Sequence, residues 1–413
     1  MNLRAALAVS LIASLTFSAC ALAADPPAPK FEHQEIDKIQ IGYGLVIGDV
    51  DGDKKQDILL ADAKQIVWYA NPGKAGEAWK KHIIAEKLTA LDNVCIAARD
   101  IDGDGKVEVA VGAMWNPGET NDDTKSGAVF YLIRPQDPTQ KWEAVKLHHE
   151  VTTHRMRWVD IGDGKFQLVV VPLHGKGNKN EAGDGVKILA YNVPADPQGE
   201  WTTTLVNDEL HATHNFEVMD IPGRPGEVRP MAGLLLGGKE GLRFAMMDGG
   251  QWKSEPSKVQ DFFKNPIGEV RGQVATGPED MNYIATIEPM HGNSVVLYYG
   301  YNREPEPKRR VLDDTFNQGH ALALADVVGA GHPQVIAGWR NPNKEVKVGI
   351  KIYVPHDAAY EKFDVHVLDD KMACEDLQVA DLDGDGKLDI IAAGRATKNL
   401  KVYWNRTAKR AAE

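Results

Sequence analysis

Three cysteines in 413 residues cannot build a disulfide framework. Cys20 lies in an N-terminal segment expected to be removed, which leaves Cys95 and Cys374 as two buried thiols. Positive charge is scarce too. The 47 Lys and Arg against 59 Asp and Glu give a net charge of -12, which argues against nucleic acid as a partner, since that requires a basic face. Long apolar runs are missing. The one candidate, Ala5 to Phe17, is too short to span a bilayer. With Arg4 before it and Ala21, Leu22 and Ala23 after it, this run is expected to be a signal peptide over residues 1–24. A proline-rich linker, 25–30, follows. The expected location is periplasmic or secreted. A lipid anchor on Cys20 is the second reading, weakened by Phe17 at the key apolar position of such a signal. No Ser-His-Asp motif stands out, and Gly237-Gly238-Lys239 lacks the following helix that phosphate binding needs.

What the chain does have is repetition. Gly48–Leu60, Arg99–Val111 and Ala380–Ala392 are near copies, each an Asp/Gly-rich loop between two apolar, β-prone runs. Degenerate copies begin near Trp158, Val218 and Leu324, and a seventh without aspartates near Val274. Aligned on the first loop aspartate, the copies fall at Asp49, Asp100, Asp160, Asp220, about position 276, Asp326 and Asp381. Two further strand-like segments follow each loop. Four strands per repeat and seven repeats imply an all-β, seven-bladed β-propeller over residues 31–405. The last repeat stops after its third strand at Trp404, so Phe31–Asp37 is expected to supply the fourth and close the ring. Residues 406–413 form a tail.

The three intact loops place oxygen ligands at alternating positions. Asp49, Asp51, Asp53 and Asp57 form one set, and Asp100, Asp102, Asp104 and Glu108 a second. The third is Asp381, Asp383, Asp385 and Asp389. This spacing, with glycine allowing the turn, suits structural calcium, which takes 6–8 oxygens. The alternative is a metal-free polar turn.

At these loops the chain resembles the FG-GAP/VCBS repeat family. That resemblance implies the propeller and leaves function open, since the family includes adhesion receptors, lectins and enzymes.

The loops also serve as a ruler. Six residues before each aligned aspartate is the start of the innermost strand, beside the central axis, on the face opposite the loops. Tyr43, Val94, His154, His214, Val270 (with Glu269 adjacent), His320 and Glu375 stand there. Fourteen residues past the aspartate lie His174, Arg340 and Arg395, and strand alignment adds Trp115 and His291. His211 lies just before His214. Converging imidazoles suit a divalent transition metal such as zinc, with His214, His291, His320 and Glu375 as candidate ligands. His154, His174, Tyr43, Arg340 and Arg395 are the candidate catalytic residues. Arginine suits an anionic or polyhydroxylated ligand, and Trp115 and Tyr43 offer faces for a sugar ring.

The segments His211–Phe216, Glu288–Asn293 and Gln318–Asp326 resemble the propeller domain of aldos-2-ulose dehydratase/isomerase. The resemblance implies a metal-dependent carbohydrate lyase or dehydratase acting on a keto-sugar by proton abstraction and β-elimination. The fungal enzymes carry further cupin-like domains that this chain lacks, which puts the isomerase half in doubt. A uronate lyase is a neighbouring reading. The competing class is a non-catalytic propeller that binds carbohydrate or protein at the cell surface. The expected partner is a small carbohydrate or oligosaccharide.

Overall fold

A computed structural model describes residues 26–178, 182–221, 231–254, 262–273, 283–300, 306–342, 344, 347–357 and 359–408. The proposed signal peptide, the degenerate loop at 222–230 and most of the loop region of the fifth repeat, the copy without aspartates, fall outside these residues. The regular structure is 28 β-strands, numbered in chain order, in seven four-stranded antiparallel sheets. No helix among the described residues is long and apolar enough to cross a membrane.

The innermost strands are β2 (Gly44–Gly48), β6 (Cys95–Arg99), β10 (Thr153–Gly162), β14 (Thr213–Ile221), β18 (Val270–Gln273), β22 (Gly319–Ala325) and β26 (Cys374–Ala380). Each is followed outward by the next three strands of the chain. The seventh sheet differs. Its order is β1-β28-β27-β26, so β1 (Phe31–Lys38) supplies the outer strand beside β28 (Asn399–Asn405). The seven-bladed propeller is therefore closed by its N-terminal strand.

Why the second strands are continuous apolar runs follows from the packing. In β7 (Glu108–Ala113), Val109 and Val111 face a core shared with the first blade, with Leu59, Trp68 and Phe130. Ala110, between them, faces the core shared with the third blade, with Trp158 and Leu168. A strand buried on both faces needs no polar alternation. Seven such cores exist, one in each gap between neighbouring blades. Each fully buried Leu, Ile or Phe in them contributes roughly 1.5–3 kcal/mol of transfer free energy. Neither cysteine is bridged: Cys95 and Cys374 are buried free thiols.

A polar clasp repeats on the outer side of three blades. Asp37, Asp313 and Asp369, each on an outer strand, accept from a Lys/Tyr pair of the next blade. In the seventh blade Lys401 and Tyr403 both lie 2.7 Å from Asp369 Oδ2. Burial works to raise the Asp369 pKa, but the two donors outweigh it and hold the carboxyl below its ordinary range.

Candidate functional site

Four innermost strands break register at their first residues. The ladder slips between Thr153 and Arg155, between Thr213 and Phe216, between Gly319 and Ala321, and between Cys374 and Asp376. His154, His214, His320 and Glu375 occupy the slips. A bulge leaves its extra residue unpaired and re-aims the side chain. Here it turns these four polar groups toward the axis at one end of the ring. The first two blades carry Tyr43 and Val94 at this position. Both precede their strands, whose ladders show no slip.

The imidazoles meet. Ligand atoms of His214, His291 and His320 all lie within 4.8 Å of one another. Ring centroids are 4.3 Å apart for His214 and His291, and 4.9 Å for His214 and His320. His291 stacks on His320 at 5.1 Å. His291 arrives from the loop after β19 (Tyr283–Glu288), at a φ of 52° that histidine tolerates better than bulkier residues.

Their tautomers follow from their partners. His320 Nδ1 lies 2.6 Å from the Glu375 carbonyl, and His154 Nδ1 3.0 Å from the His214 carbonyl. A carbonyl only accepts, so both Nδ1 atoms carry the proton and both Nε2 atoms keep a lone pair. His214 Nδ1 sits 2.9 Å from Glu269 Oε1, a close charge contact off the line of a hydrogen bond. His214 Nε2, on a fully buried side chain, has no hydrogen-bond partner. Buried polar atoms are rarely left so. A neutral imidazole oriented through Nδ1 by a carbonyl or carboxylate is the arrangement found behind metal-ligating histidines. The residues present therefore fit a divalent metal.

Burial is the first cause that lowers the pKa of His154, His214, His291 and His320, with nearby arginines and the other imidazoles adding to it. His291 falls to about 2. All four are neutral at neutral pH, the form in which imidazole binds metal or takes a proton.

Glu375 borders the three imidazoles, its Oε1 3.8 Å from His320 Nε2, but falls outside their mutually close group. Its buried carboxylate accepts two bonds from Arg340 Nη1, at 2.9 and 3.0 Å, and one from Arg395 Nη1 at 3.0 Å. Its place is an arginine clamp beside the cluster. Arg395 also covers one face of the buried Tyr43 ring at 5.2 Å. Trp115, half-buried, stacks on His154 at 5.0 Å. His154 borders the cluster through His214, with ring centroids 4.8 Å apart. His174 follows β11 (Lys165–Pro172), pairs its backbone with Ala212 and lies outside the three-imidazole group. His211 turns to Glu240 at 2.8 Å.

Two participants are poorly marked in the sequence. Glu269, not Val270, presents the polar group in the fifth blade. Its Oε2 accepts from Asn215 at 2.6 Å. That blade lacks the loop aspartate, so the ruler loses its origin there and slips by one residue. Asn215, inside the bulge beside His214, carries no repeat signal.

The opposite face carries the Asp-rich loops, about 20 Å away at roughly 3.3 Å per strand residue. Asp49, Asp51 and Asp53 cluster within 4.8 Å, as do Asp381, Asp383 and Asp385. Asp57 and Asp389 stay outside these groups. Asp57 accepts from the backbone of Val50 and Asn71, and Asp389 from Leu382 and Asn405. They staple the loop to its strands. In the second loop Glu108, one carbon longer, reaches Asp100 and Asp102, while Asp104 turns to Arg134 at 3.0 Å. Burial, the largest cause, pushes Asp57 and Glu108 up to about 7 and Asp389 to about 6. A bound cation would relieve that. The sixth blade supplies a contrast. Asp326 caps Ala330 and Gly331, and Gln334 takes the staple's place, accepting from Val327 and Val328. With Val328 and Ala330 at the ligand positions, this loop folds without a carboxylate cluster.

Comparison with known proteins accords with this fold. A sequence model of the FG-GAP-like repeat matches residues 49–111, and one of the FG-GAP repeat matches 96–132. The aldos-2-ulose dehydratase β-propeller domain matches residues 126–300. That match includes His154, His214, Glu269 and His291, while His320, Arg340 and Glu375 lie beyond it. Integrin alpha-PS2 of Drosophila melanogaster is 27% identical over 172 residues, covering 40% of this chain and 11% of that protein. The chain thus spans a small part of that relative. Hydrazine synthase of Kuenenia stuttgartiensis shares the fold at a TM-score of 0.51 and 10% identity, over 96% of this chain and 99% of that one. An Agrocybe aegerita lectin that recognises non-reducing terminal N-acetylglucosamine aligns at a TM-score of 0.45 and 14% identity, over 91% and 86% of the two chains. The chain is a seven-bladed propeller with matches to FG-GAP repeats in its first blades and to the aldos-2-ulose dehydratase propeller domain after them.

Proposed function

We propose that this protein is an exported carbohydrate lyase or dehydratase, with its active site at the three-imidazole end of the ring. One observation carries the reading: three neutral imidazoles converge there, and the buried His214 Nε2 has no protein partner. His214, His291 and His320 would hold a divalent ion such as zinc, which when bound supplies Lewis-acid polarisation of a carbonyl or carboxylate oxygen. The chain's own residues do the rest. His154, oriented by its Nδ1 bond and packed under Trp115, presents a lone pair for a proton removed from carbon. Arg395, with its side chain 38% exposed, is the clamp arginine that meets an anionic or hydroxylated substrate. Arg340 and Glu375 fix it in place. Trp115 borders the sugar. The sequence match to the dehydratase propeller domain supports a keto-sugar, and the arginines keep a uronate in view. Calcium in the three carboxylate loops is proposed as structural. The N-terminal segment is proposed to direct export.

The test combines metal analysis of the purified protein with a panel of keto-sugars and uronates, followed by ultraviolet absorbance of an unsaturated product. The reading expects a transition metal near one equivalent. It also expects turnover that His214→Ala and His320→Ala abolish while the fold survives. A second reading, a non-catalytic carbohydrate- or protein-binding propeller, draws on Trp115 and Tyr43 beside the site. It expects saturable binding with no product from any substrate.

A further inference from the structure

The seven innermost strands enclose a cavity of about 370 Å³ that none of the clustered imidazoles lines. It runs down the strands to Arg99 and Val379, one and two residues before the loop aspartates Asp100 and Asp381. It therefore lies between the imidazole layer and the loop face, adjoining the site proposed above through Tyr43 and Arg155. Its charged lining is uneven. Arg99, Arg155, Arg157 and Arg271 stand against two carboxylates, Glu217 and Asp376.

These arginines are poorly matched by the protein. Arg155 and Arg271 are 9% and 8% exposed. A guanidinium has five donors. Among the described residues, Arg155 Nη1 donates to the His154 carbonyl, Arg157 Nη1 to Asn215 Oδ1, and Arg271 Nη1 to the Val270 carbonyl. The carboxylate contacts are long: Arg157 to Glu217 at 3.9 Å, Arg271 to Glu217 at 3.8 Å and Arg271 to Glu269 at 3.9 Å. A charge-assisted bond closes to about 2.7–2.9 Å. Asp376 is occupied by the backbone amides of Leu45 and Leu377. Buried charge held this loosely is costly unless something else satisfies it.

We infer that the central channel binds a small oxyanion between Arg155, Arg157 and Arg271, entering from the loop face. The ligand class is a phosphate- or carboxylate-bearing small molecule, matched to forked guanidinium donors. Glu217 competes for two of the three guanidinium groups and so weakens the site.

Isothermal titration of the full-length protein with inorganic phosphate, sulfate, acetate and glucuronate tests this. Binding of at least one anion is expected, and the active probes distinguish a tetrahedral from a planar group. Arg157→Gln and Arg271→Gln should each weaken binding about tenfold or more, the loss of one charged hydrogen-bond partner. Glu217→Gln should move the other way and tighten it. Circular dichroism checks the fold of each variant. If neither the wild type nor Glu217→Gln binds any of the four anions, the inference is overturned. Because the arginine variants leave His214, His291 and His320 in place, metal content separates failure here from failure of the proposed active site.

Discussion

Removing calcium should lower the melting temperature by an amount that the loops allow one to work out. Three loops carry a complete carboxylate cluster, so three ions are expected. Extracellular calcium modules have dissociation constants near 10⁻⁴–10⁻³ M. At a free calcium level about a hundredfold above such a constant, each site adds about 2.7 kcal/mol. Three sites then add about 8 kcal/mol. About 350 described residues at about 2.1 cal/mol/K each give an unfolding entropy near 0.7 kcal/mol/K, so the melt should rise by about 11 °C. The assay is differential scanning calorimetry in chelator and in calcium at about 10–100 mM, a hundredfold above those constants. Asp51→Asn, Asp102→Asn and Asp383→Asn should each remove about a third of the shift. The sixth loop is the internal control. It keeps Asp326 and replaces the staple by Gln334, so Asp326→Asn should destabilise equally with and without calcium. A melt that moves by less than about 1 °C with calcium would refute the reasoning, as would an Asp326→Asn variant that has lost the calcium response.

Breaking the clamp is the second expectation. Glu375→Ala leaves Arg340 without its buried partner and should cost about 3–5 kcal/mol in a denaturant melt. Glu375→Gln, which keeps the shape, should cost less. The Asp369 clasp has a pH signature. The folded carboxyl titrates below its unfolded value of about 3.9, so its stabilisation is full above that pH and fades as pH falls through the lowered native value. Asp369→Asn should therefore lower stability at pH 7 and lose less than the wild type between about pH 5 and pH 3. The two buried thiols, Cys95 and Cys374, should stay silent to a thiol reagent until the protein unfolds. Burial pushes Cys95 up to about 12 and Cys374 well above its ordinary value, and unfolding should release both at once.

Much of this fold was legible because the repeat is chemical. Asp49, Asp100 and Asp381 cap the same turn with the same backbone bonds, so one loop pattern fixed blade number and strand order together. The ring closure was legible for a geometric reason: a last sheet one strand short has an edge that only the other terminus can cover. The site was legible in outline. Counting back six residues placed His154, His214 and His320 beside the axis. It could not show that a bulge sits at those residues, since a bulge is a shift in pairing and not a residue type. It could not separate Glu375 from the imidazoles either. A carboxylate among histidines reads as a ligand, and only the structure shows that Arg340 and Arg395 also bond it. The arginines of the channel carried no repeat signal at all. They come from two blades, at the unremarkable positions 155, 157 and 271.

The pairing of β1 with β28 orders events in the life of the chain. Phe31 meets Asn405 and Lys38 meets Asn399, and the backbone bond from Arg406 to Lys30 joins the two ends. The first strand to be made therefore waits for the last. Until residues 399–405 arrive, β1 is an unpaired edge and the seventh gap between blades is open. The ring cannot assemble one blade at a time to completion; it locks only when the whole chain is present. A chain cut short by a dozen residues would lose the core at that gap as well as a strand, and would be exposed to proteolysis along its open seam. The seam is then the quality check of the molecule, passed only by full-length protein.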